Sequence, residues 1–295
     1  MRSSRIEKGI IFAILSSVFS STATVVASIG TRDLSPLLFL SVTGLISSII
    51  LFLYSYARRE GLTRKSIKKN ARDILHVTVL RSFIGQSFLM VGISLTTGIV
   101  AIFFTKMEPY FVLIWNWILG RERIKRRHLV LLLIHLFGAF LLISGGVLTL
   151  GSNELGDLLI IIAVALLALS YIPGKRLSKS IGAINSNAMT TGTAALVMLP
   201  ISIVVFGYFG ESIHPIGWAY ALTVALLFNV FALTLWYASL KTVKGWIVSA
   251  LRAIGPLAAA PFAFFVFGQV LGAVQIIGAS IIIATSYIIS RENKK

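Results

Sequence analysis

The chain has 295 residues, of which 57% are hydrophobic and only 13% are charged. This composition excludes an ordinary soluble domain and indicates a protein whose helices cross a lipid bilayer several times. The sequence contains no cysteine, which excludes disulfide scaffolds and thiolate chemistry, and its formal net charge of +17 has to be explained by where the charges lie.

Ten hydrophobic stretches are long enough to cross the hydrocarbon layer of a bilayer as helices. They cover residues 9–29, 37–56, 74–95, 97–119, 129–148, 157–172, 188–209, 217–239, 246–267 and 273–289. The first stretch is too long for the apolar part of a cleaved signal peptide, so we interpret it as a span. The sequence therefore predicts an all-α integral membrane protein with ten transmembrane helices.

Lysine and arginine are confined to alternate connections between these spans. Of the 27 basic residues, 23 lie at the two termini and in the loops 57–73, 120–128, 173–187 and 240–245, whereas the other loops hold only Arg32. By the positive-inside rule, this bias predicts that both termini are cytoplasmic. Such loops need no partner beyond anionic lipid headgroups. We therefore expect a multi-pass plasma-membrane protein, monomer or homodimer, without a nucleic-acid partner.

Polar side chains occur within the early spans. The first span is rich in serine and threonine, which suit helix packing or, alternatively, line a polar path. The third carries Arg81 on the predicted cytoplasmic side of its centre. An arginine at this depth either reaches the headgroups or serves a cavity or an ion pair.

The fourth span has Lys106, Glu108 and Pro109 at its centre. A charge at that depth costs about 3 kcal/mol even on insertion scales, so such residues normally face a polar cavity. Pro109 cannot donate a hydrogen bond to the carbonyl of Thr105, which frees an acceptor beside Lys106. A broken helix that carries charge near the midplane is typical of a transporter's binding site.

The second half of the sequence repeats this arrangement. Three residues in and directly after the fourth span recur 147 or 148 positions later, as the pairs Gly98 and Gly245, Pro109 and Pro256, and Gly120 and Gly268. Because each half has five spans, an odd number, the halves would enter the membrane in opposite orientations. We predict two inverted domains, residues 1–150 and 151–295, with the binding site between them.

The charges of the two proline-containing spans suggest a polar network. Pro256 frees the carbonyl of Arg252 as Pro109 does that of Thr105. In a continuous helix Glu108 points away from Lys106, which shares its face with Tyr110. We therefore expect Glu108 to pair across helices, with Arg81 or Arg252.

Several of these motifs resemble the EamA domain of the drug/metabolite transporter superfamily, in two copies that cover about residues 9–290. The motifs are Leu119-Gly120-x-Glu122-x-Ile124 in the first copy, and Ser249-Ala-Leu-x-x-x-Gly-Pro256 with Phe267-Gly-Gln269 in the second. The resemblance implies a ten-span carrier whose cavity, formed by spans 1, 3, 4, 6, 8 and 9, opens alternately to either side. Gln269 stands where the second copy usually has glutamate, and the central charges depart from the often uncharged cavity of that family.

We expect a secondary transporter of a small organic metabolite that is anionic or zwitterionic, such as an amino acid or an organic or phosphorylated acid; export is the direction that the resemblance favours. The predicted substrate-binding residues are Lys106, Arg252, Arg81, Tyr110 and Thr105, with Glu108 as a charge-compensating or proton-coupling group and with Pro109 and Pro256 as helix breaks. No metal or other cofactor is expected. The alternative is a passive channel or lipid scramblase in which these charges form a structural network. An enzyme is not expected, because no nucleophile–base pair stands out in the spans.

Overall fold

The computed structural model describes residues 2–95, 103–121, 123–146, 153–209, 214–257 and 272–293, which contain helices and no β-strand. The α-helices in chain order are α1 (Arg2–Asp33), α2 (Pro36–Ala57), α3 (Arg64–Val77), α4 (Gln86–Leu95), α5 (Glu108–Ile118), α6 (Arg126–Ser144), α7 (Glu154–Leu169), α8 (Tyr171–Ile181), α9 (Ala183–Phe209), α10 (Pro215–Val224), α11 (Thr234–Leu240), α12 (Gly245–Leu251) and α13 (Ala273–Arg291). A π-helix joins α3 to α4 and another joins α10 to α11, and a 3-10 turn follows α12.

Seven helical segments of the described chain are long and apolar enough to cross a membrane. They are Ser4–Thr24, Leu37–Ala57, Arg126–Ser144, Glu154–Ile181, Ala183–Val205, Pro215–Leu240 and Ala273–Arg291, and Gly245–Leu257 is a shorter apolar helix. Large apolar side chains such as Leu53, Leu133 and Val204 face outward on these segments, as contact with lipid requires. The prediction of an all-helical, multi-pass membrane protein is confirmed.

The helix that carries Arg81 begins earlier than hydropathy suggests. It starts at Arg64, inside the stretch that the sequence places in the loop 57–73. Thr63 caps it, because its side chain accepts a hydrogen bond from the backbone N–H of Ser66 at 3.2 Å. The apolar residues of this amphipathic segment pack against α8, in a cluster of Leu62, Ile67, Ile74, Leu177, Ile181 and Met189. Protein, rather than lipid, covers this apolar face.

The predicted loop 173–187 is also mostly helical. Within it, only Gly182 separates α8 from α9. Gly182 has a φ of +86°, a backbone conformation that a side chain disfavours, so a glycine makes this sharp turn possible. Hydropathy underestimated α8 because it carries Lys175, Arg176 and Lys179, and a helix with that much charge does not read as a span.

The two π-helices occupy matching places in the two halves of the chain. One covers Thr78–Gly85 and the other Ala225–Leu233, so that they begin 147 residues apart. This is the spacing that separates Pro109 from Pro256 in the sequence. Because π-helices are rare and concentrate at functional sites, their recurrence at this spacing is a structural trace of the repeat.

Helices from the two halves pack in matched pairs. α2 packs along α9, α6 along α13, and α5 against α12, while α1 packs on α10 as α7 packs on α4. The contact of α6 with α13 is close, since a Cβ added at Gly278 would lie 2.6 Å from the carbonyl oxygen of Gly138. Small residues at such crossings allow helix backbones to approach each other in membranes.

Polar contacts tie the helix ends together at one face of the bundle. Here Lys244 donates its backbone N–H to Asn293 Oδ1 at 2.9 Å, and Arg127 Nη2 lies 3.0 Å from Glu292 Oε1. We call this end the basic face, defined by the helix ends at 57–64, 118–126, 181–183, 240–245 and 291–293. At the opposite face the backbone N–H of His214 donates to the carbonyl of Asp33 at 2.9 Å.

Part of the predicted pattern lies outside the described residues. This holds for Gly98, Glu122, Phe267, Gly268 and Gln269.

Candidate functional site

The fourth hydrophobic stretch is interrupted at Lys106 and Met107, which form a turn between residues 103–105 and α5. Their backbone N–H groups donate to the carbonyls of Phe103 and Phe104, three residues back, at 2.9 and 3.0 Å. α5 then begins at Glu108, with a proline in its first turn. The sequence predicts that Lys106 and Tyr110 share one face of a continuous helix. Because the helix is interrupted between them, regular helical spacing does not apply to this pair.

The second break is a 3-10 turn at Arg252–Ile254, directly after α12. The carbonyl of Arg252, which Pro256 cannot bond, accepts the backbone N–H of Gly255 and the hydroxyl of Ser17, the latter at 2.8 Å. A Cβ at Gly255 would lie only 2.8 Å from Ser17 Oγ, so a glycine allows α1 to come this close. The freed carbonyl is thus satisfied within the protein, by Ser17 of α1 and by Gly255.

Glu108 lies at the centre of a polar cluster that joins five helical segments. Its Oε2 accepts hydrogen bonds from Tyr171 OH at 2.9 Å and from Ser249 Oγ at 2.8 Å. Arg252 Nη1 lies 3.8 Å from the same oxygen, and Arg81 Nη1 lies 4.0 Å from Oε1. We call Arg81, Glu108 and Arg252 the ion-pair cluster. The expectation that Glu108 pairs across helices agrees with these distances.

Arg81 points into the protein and not toward the headgroups. The residue is only 9% exposed, and its guanidinium carbon lies 4.2 Å from the centroid of the Trp236 ring. Its Nη1 is also 3.5 Å from Ser170 Oγ. An aromatic face and a nearby carboxylate both favour a buried guanidinium. Tyr171 packs edge-on against the same indole, with ring centroids 5.0 Å apart, so Arg81 lies in an aromatic recess.

Arg252 is less completely satisfied. Its Nη2 reaches Ser20 Oγ at 3.5 Å, at the limit of a hydrogen bond. Its Nε is buried and has no hydrogen-bond partner within the described part of the chain. Two arginines therefore face one carboxylate, and the second arginine retains an unused donor. This excess of positive charge is what a bound anion could satisfy.

The other predicted binding residues lie near the start of α5 or on it. Thr105 and Lys106 are half-buried at the turn before α5. The ion pairs of Glu108 within 4.0 Å are to the two arginines and not to Lys106. Tyr110 packs against the apolar core around α12, and its hydroxyl is buried without a hydrogen-bond partner among the described residues. Their assignment to substrate remains a prediction.

Two cavities lie near the cluster. The first, which we call the basic cavity, has a volume of ≈ 200 Å³ and lies toward the basic face; it is lined by Asn116, Arg121, Tyr171, Lys175, Arg176 and Lys179, among others. The second, which we call the distal cavity, has a volume of ≈ 100 Å³; its polar lining consists of Thr43, Arg81, Ser82, Gln86, Thr191 and Asn229. Tyr171 lines the first cavity and Arg81 the second, and both contact Glu108. Glu108 of the ion-pair cluster therefore contacts one lining residue of each cavity.

The distal cavity agrees only in part with the cavity that the family resemblance implies, since it is lined by spans three and eight but also by two further spans. It lies between the two π-helices and is closed by α2 and α9, which belong to spans two and seven rather than to the predicted set. The sequence also missed Tyr171, Ser249 and Trp236 as partners of the charges. A polar or aromatic residue within an apolar span carries no signal that distinguishes a core position from a site.

His135 connects helices and is not part of the site. Its Nδ1 lies 2.7 Å from Thr285 Oγ1 and its Nε2 lies 3.0 Å from the carbonyl oxygen of Ala250. Both ring nitrogens are therefore engaged, and the side chain fastens α12 to α6 and α13. Within the described ranges, no group of three His, Asp or Glu side chains is placed to hold a metal ion.

Comparison with known proteins places this geometry in a family. The sequence profile described as "EamA-like transporter family" matches residues 7–144 and again residues 154–291. An uncharacterized transporter of Bacillus subtilis (strain 168), YetK, is 25% identical over 251 residues, which are 83% of this chain and 75% of that protein. An uncharacterized transporter of Methanothermobacter thermautotrophicus (strain Delta H) is 23% identical over 296 residues, covering 95% of this chain and 85% of the other. A crystal structure with 17% sequence identity superposes over the whole of both chains with a TM-score of 0.79, which shows the fold. The chain therefore belongs to the EamA-like transporter family.

Proposed function

We propose that this protein is a secondary active transporter of a small anionic or zwitterionic metabolite, working by alternating access around the ion-pair cluster. The observation that carries the proposal is the position of Glu108, which bonds Tyr171 on the side of the basic cavity and faces Arg81 on the side of the distal cavity. A closed cluster between two cavities is what a carrier needs in an occluded state, because neither side may reach the other directly.

The repeat supports alternating access as the mechanism. The two π-helices begin 147 residues apart, and the proline breaks at Pro109 and Pro256 have the same spacing. These matches support two domains, residues 1–150 and 151–295, each with five spans and in opposite orientations. In such carriers one repeat rocks against the other around a site near the midplane. We further propose that the chain crosses the plasma membrane ten times with both termini in the cytoplasm, and that it works as a monomer or homodimer.

The substrate would open the ion-pair cluster by replacing Glu108 as the anionic partner of an arginine. A carboxylate or phosphate of the substrate competes with Glu108 for Arg252, whose buried Nε has no partner in the described chain. Glu108 then keeps its hydrogen bonds from Tyr171 and Ser249, or takes up a proton and leaves the cluster. Lys106 lies on the turn beside Glu108 and supplies further positive charge, with Thr105 and Tyr110 as polar contacts. Export is the direction that we propose.

The decisive experiment is a ligand screen followed by transport. Purified protein is screened by thermal shift against amino acids, organic acids and sugar phosphates, since a ligand that binds only the folded state raises the midpoint with concentration. We expect an anionic compound to stabilise the wild type but not Arg252→Met. Arg58→Met, which removes an exposed arginine from the end of α2, is the matched control and should respond like the wild type.

The hit compound is then tested in proteoliposomes. A carrier shows saturable uptake that is accelerated by unlabelled substrate on the far side. Non-saturable flux without this counterflow would indicate the alternative, a passive channel or scramblase in which the ion-pair cluster is structural. Equal stabilisation of the wild type and Arg252→Met by neutral or cationic compounds would contradict the assignment of the cluster to substrate.

A further inference from the structure

The basic cavity contains more positive charge than the transport cycle around Glu108 uses. It lies where the end of α5, the whole of α8 and the start of α12 meet, about one tyrosine side chain away from the ion-pair cluster. Among the described residues, its lining includes four basic side chains, Arg121, Lys175, Arg176 and Lys179, and no acidic one. Its volume of ≈ 200 Å³ equals the share of about seven water molecules in liquid water, which leaves room for a tetrahedral anion with an organic substituent.

The cations of this cavity are in different situations. Arg176 is held by Asp73, with Nε 2.9 Å from Oδ2, so its charge is largely compensated. Lys175 Nζ donates to the carbonyl of Val243 at 2.9 Å, which fixes its position at the start of α12. Arg121 and Lys179 are exposed, and among the described residues neither has an acidic partner within 4.0 Å.

The backbone places Arg121 over the cavity. α5 ends with Gly120 in a left-handed conformation, φ +65°, which turns the chain back on itself. The N–H of Arg121 then donates to the carbonyl of Asn116 at 2.8 Å. The Asn116 side chain is itself buried and lines the cavity; its amide donates one hydrogen bond to the carbonyl of Val112 at 2.7 Å and makes no further hydrogen bond to the described residues. A buried amide beside a guanidinium gives the cavity directional donors in addition to net charge.

We propose that the basic cavity is a second binding site, separate from the ion-pair cluster, and that its ligand is a phosphate group. A planar guanidinium binds phosphate through two parallel hydrogen bonds, and a nearby ammonium adds charge without strict geometry. The phosphate belongs either to a soluble phosphorylated metabolite or to an anionic phospholipid, because basic pockets between helices at such a face also take lipid headgroups. The site goes beyond the proposed transport function and does not depend on it.

Occupancy of this site would reach the ion-pair cluster through one side chain. Tyr171 lines the basic cavity, and its hydroxyl donates to Glu108 at 2.9 Å. Gly245 also lines the cavity at this point, where a Cβ would be in ordinary contact with Tyr171 Cδ1 at 3.4 Å. A phosphate seated in the cavity therefore lies next to the group that orients the central carboxylate.

The test compares two double variants of the full-length protein. Arg121→Gln/Lys179→Gln removes the two exposed cations of the cavity, and Arg64→Gln/Lys68→Gln removes two exposed cations from α3 at the same face as a matched control. The first probe is inorganic phosphate, titrated by thermal shift at constant ionic strength against chloride. The second is reconstitution in nanodiscs of phosphatidylglycerol against nanodiscs of phosphatidylcholine.

We expect phosphate to raise the midpoint of the wild type and of the control, and the cavity variant to need at least tenfold more phosphate for the same shift. A shift that appears only with phosphatidylglycerol, and is lost only in the cavity variant, also supports the site and names a lipid as its source. If the cavity variant and the control behave alike with both probes, the proposal is wrong. Lys179→Gln alone serves as the second variant should the double variant fold poorly.

Arg252→Met separates this proposal from the transport function. That variant alters the ion-pair cluster but leaves the lining of the basic cavity intact, so it should retain the phosphate response. A response lost in Arg252→Met and kept in the cavity variant places the phosphate at the cluster, and this outcome would overturn a second site.

Discussion

The two helix breaks share a backbone plan but carry opposite chemistry. At a spacing of 147 residues, Glu108 of the first break corresponds to Gly255 of the second, and Arg252 corresponds to Thr105. The first break therefore presents a carboxylate, whereas the second presents a guanidinium and packs its glycine against Ser17 of α1. The acid of one break and the base of the other then meet, with Arg252 Nη1 3.8 Å from Glu108 Oε2. The repeat gives the two breaks a similar backbone. The sequence differences at two corresponding positions then give one break an acid and the other a base, which pair with each other.

The largest loss of stability and transport is expected from a change at Glu108, the single acid of the ion-pair cluster. Glu108→Gln preserves the shape of the side chain but leaves the buried Arg81 and the partly buried Arg252 without a negative charge, and removing one partner of a buried pair costs about 3 kcal/mol or more. We expect a clear loss of thermal stability in detergent and loss of transport. Glu60→Gln, in an exposed turn, should change stability by less than about 0.5 kcal/mol. Equal midpoints for the two variants would show that the cluster contributes nothing to folding.

The second prediction concerns the glycine that stands in place of the acid. Gly255→Ala forces a Cβ into contact with Ser17 and Ser21, and such overpacking costs about 2 kcal/mol. Adding Ser21→Ala should recover part of the loss, because the overlapping hydroxyl is then gone. Gly61→Ala, where nothing lies within 4 Å of the added Cβ, is the control. A double-mutant cycle of unfolding midpoints measures the coupling, and additive effects would argue against close packing of α1 on the second break.

The third prediction tests the hydrogen bonds that orient the acid. Tyr171→Phe removes one donor from Glu108 Oε2 and leaves the Ser249 hydroxyl, so about 1.5 kcal/mol of stabilisation of the carboxylate is lost. Because a less firmly held Glu108 competes differently with substrate for the arginines, the apparent affinity should change roughly tenfold. Tyr287→Phe, on the exposed side of α13, controls for the loss of a phenol. Uptake in proteoliposomes gives the KM of both variants. Identical KM values would show that Tyr171 does not influence substrate binding.

The smallest effect is expected at the carbonyl that the second break releases. Ser17→Ala deletes the hydroxyl that donates to the carbonyl of Arg252, which then retains only the 3-10 hydrogen bond from Gly255. The expected loss is about 1 kcal/mol, the usual net value of a neutral hydrogen bond. Ser280→Ala removes an exposed hydroxyl that bonds only within its own helix and should be close to neutral. Equal destabilisation of both variants would show that the hydrogen bond from Ser17 to the carbonyl of Arg252 contributes no more to stability than one within a single helix.

Much of this architecture can be predicted from local physics. A high apolar content and evenly spaced apolar stretches indicate a multi-pass helical protein whatever the tertiary contacts are. Proline interrupts a helix through its own missing N–H, so the neighbourhoods of Pro109 and Pro256 were recognisable in the sequence before any packing was known. The recurrence of these prolines at a fixed spacing pointed to a repeated plan, and the matching π-helices follow the same spacing.

Other features depend on neighbours that are distant in sequence. Whether Arg81 reaches lipid headgroups or an aromatic recess is decided by Trp236, 155 positions along the chain. Tyr171 and Ser249 became partners of Glu108 only because α8 and α12 cross the start of α5. The segment that begins at Arg64 is helical because its apolar face is covered by α8, although its charge gives it the hydropathy of a loop. Local composition determined that the chain is a helical membrane protein and where two of its helices break, because hydropathy and proline act locally. Long-range packing decided which polar groups meet, since a hydrogen bond or ion pair depends on distance in space.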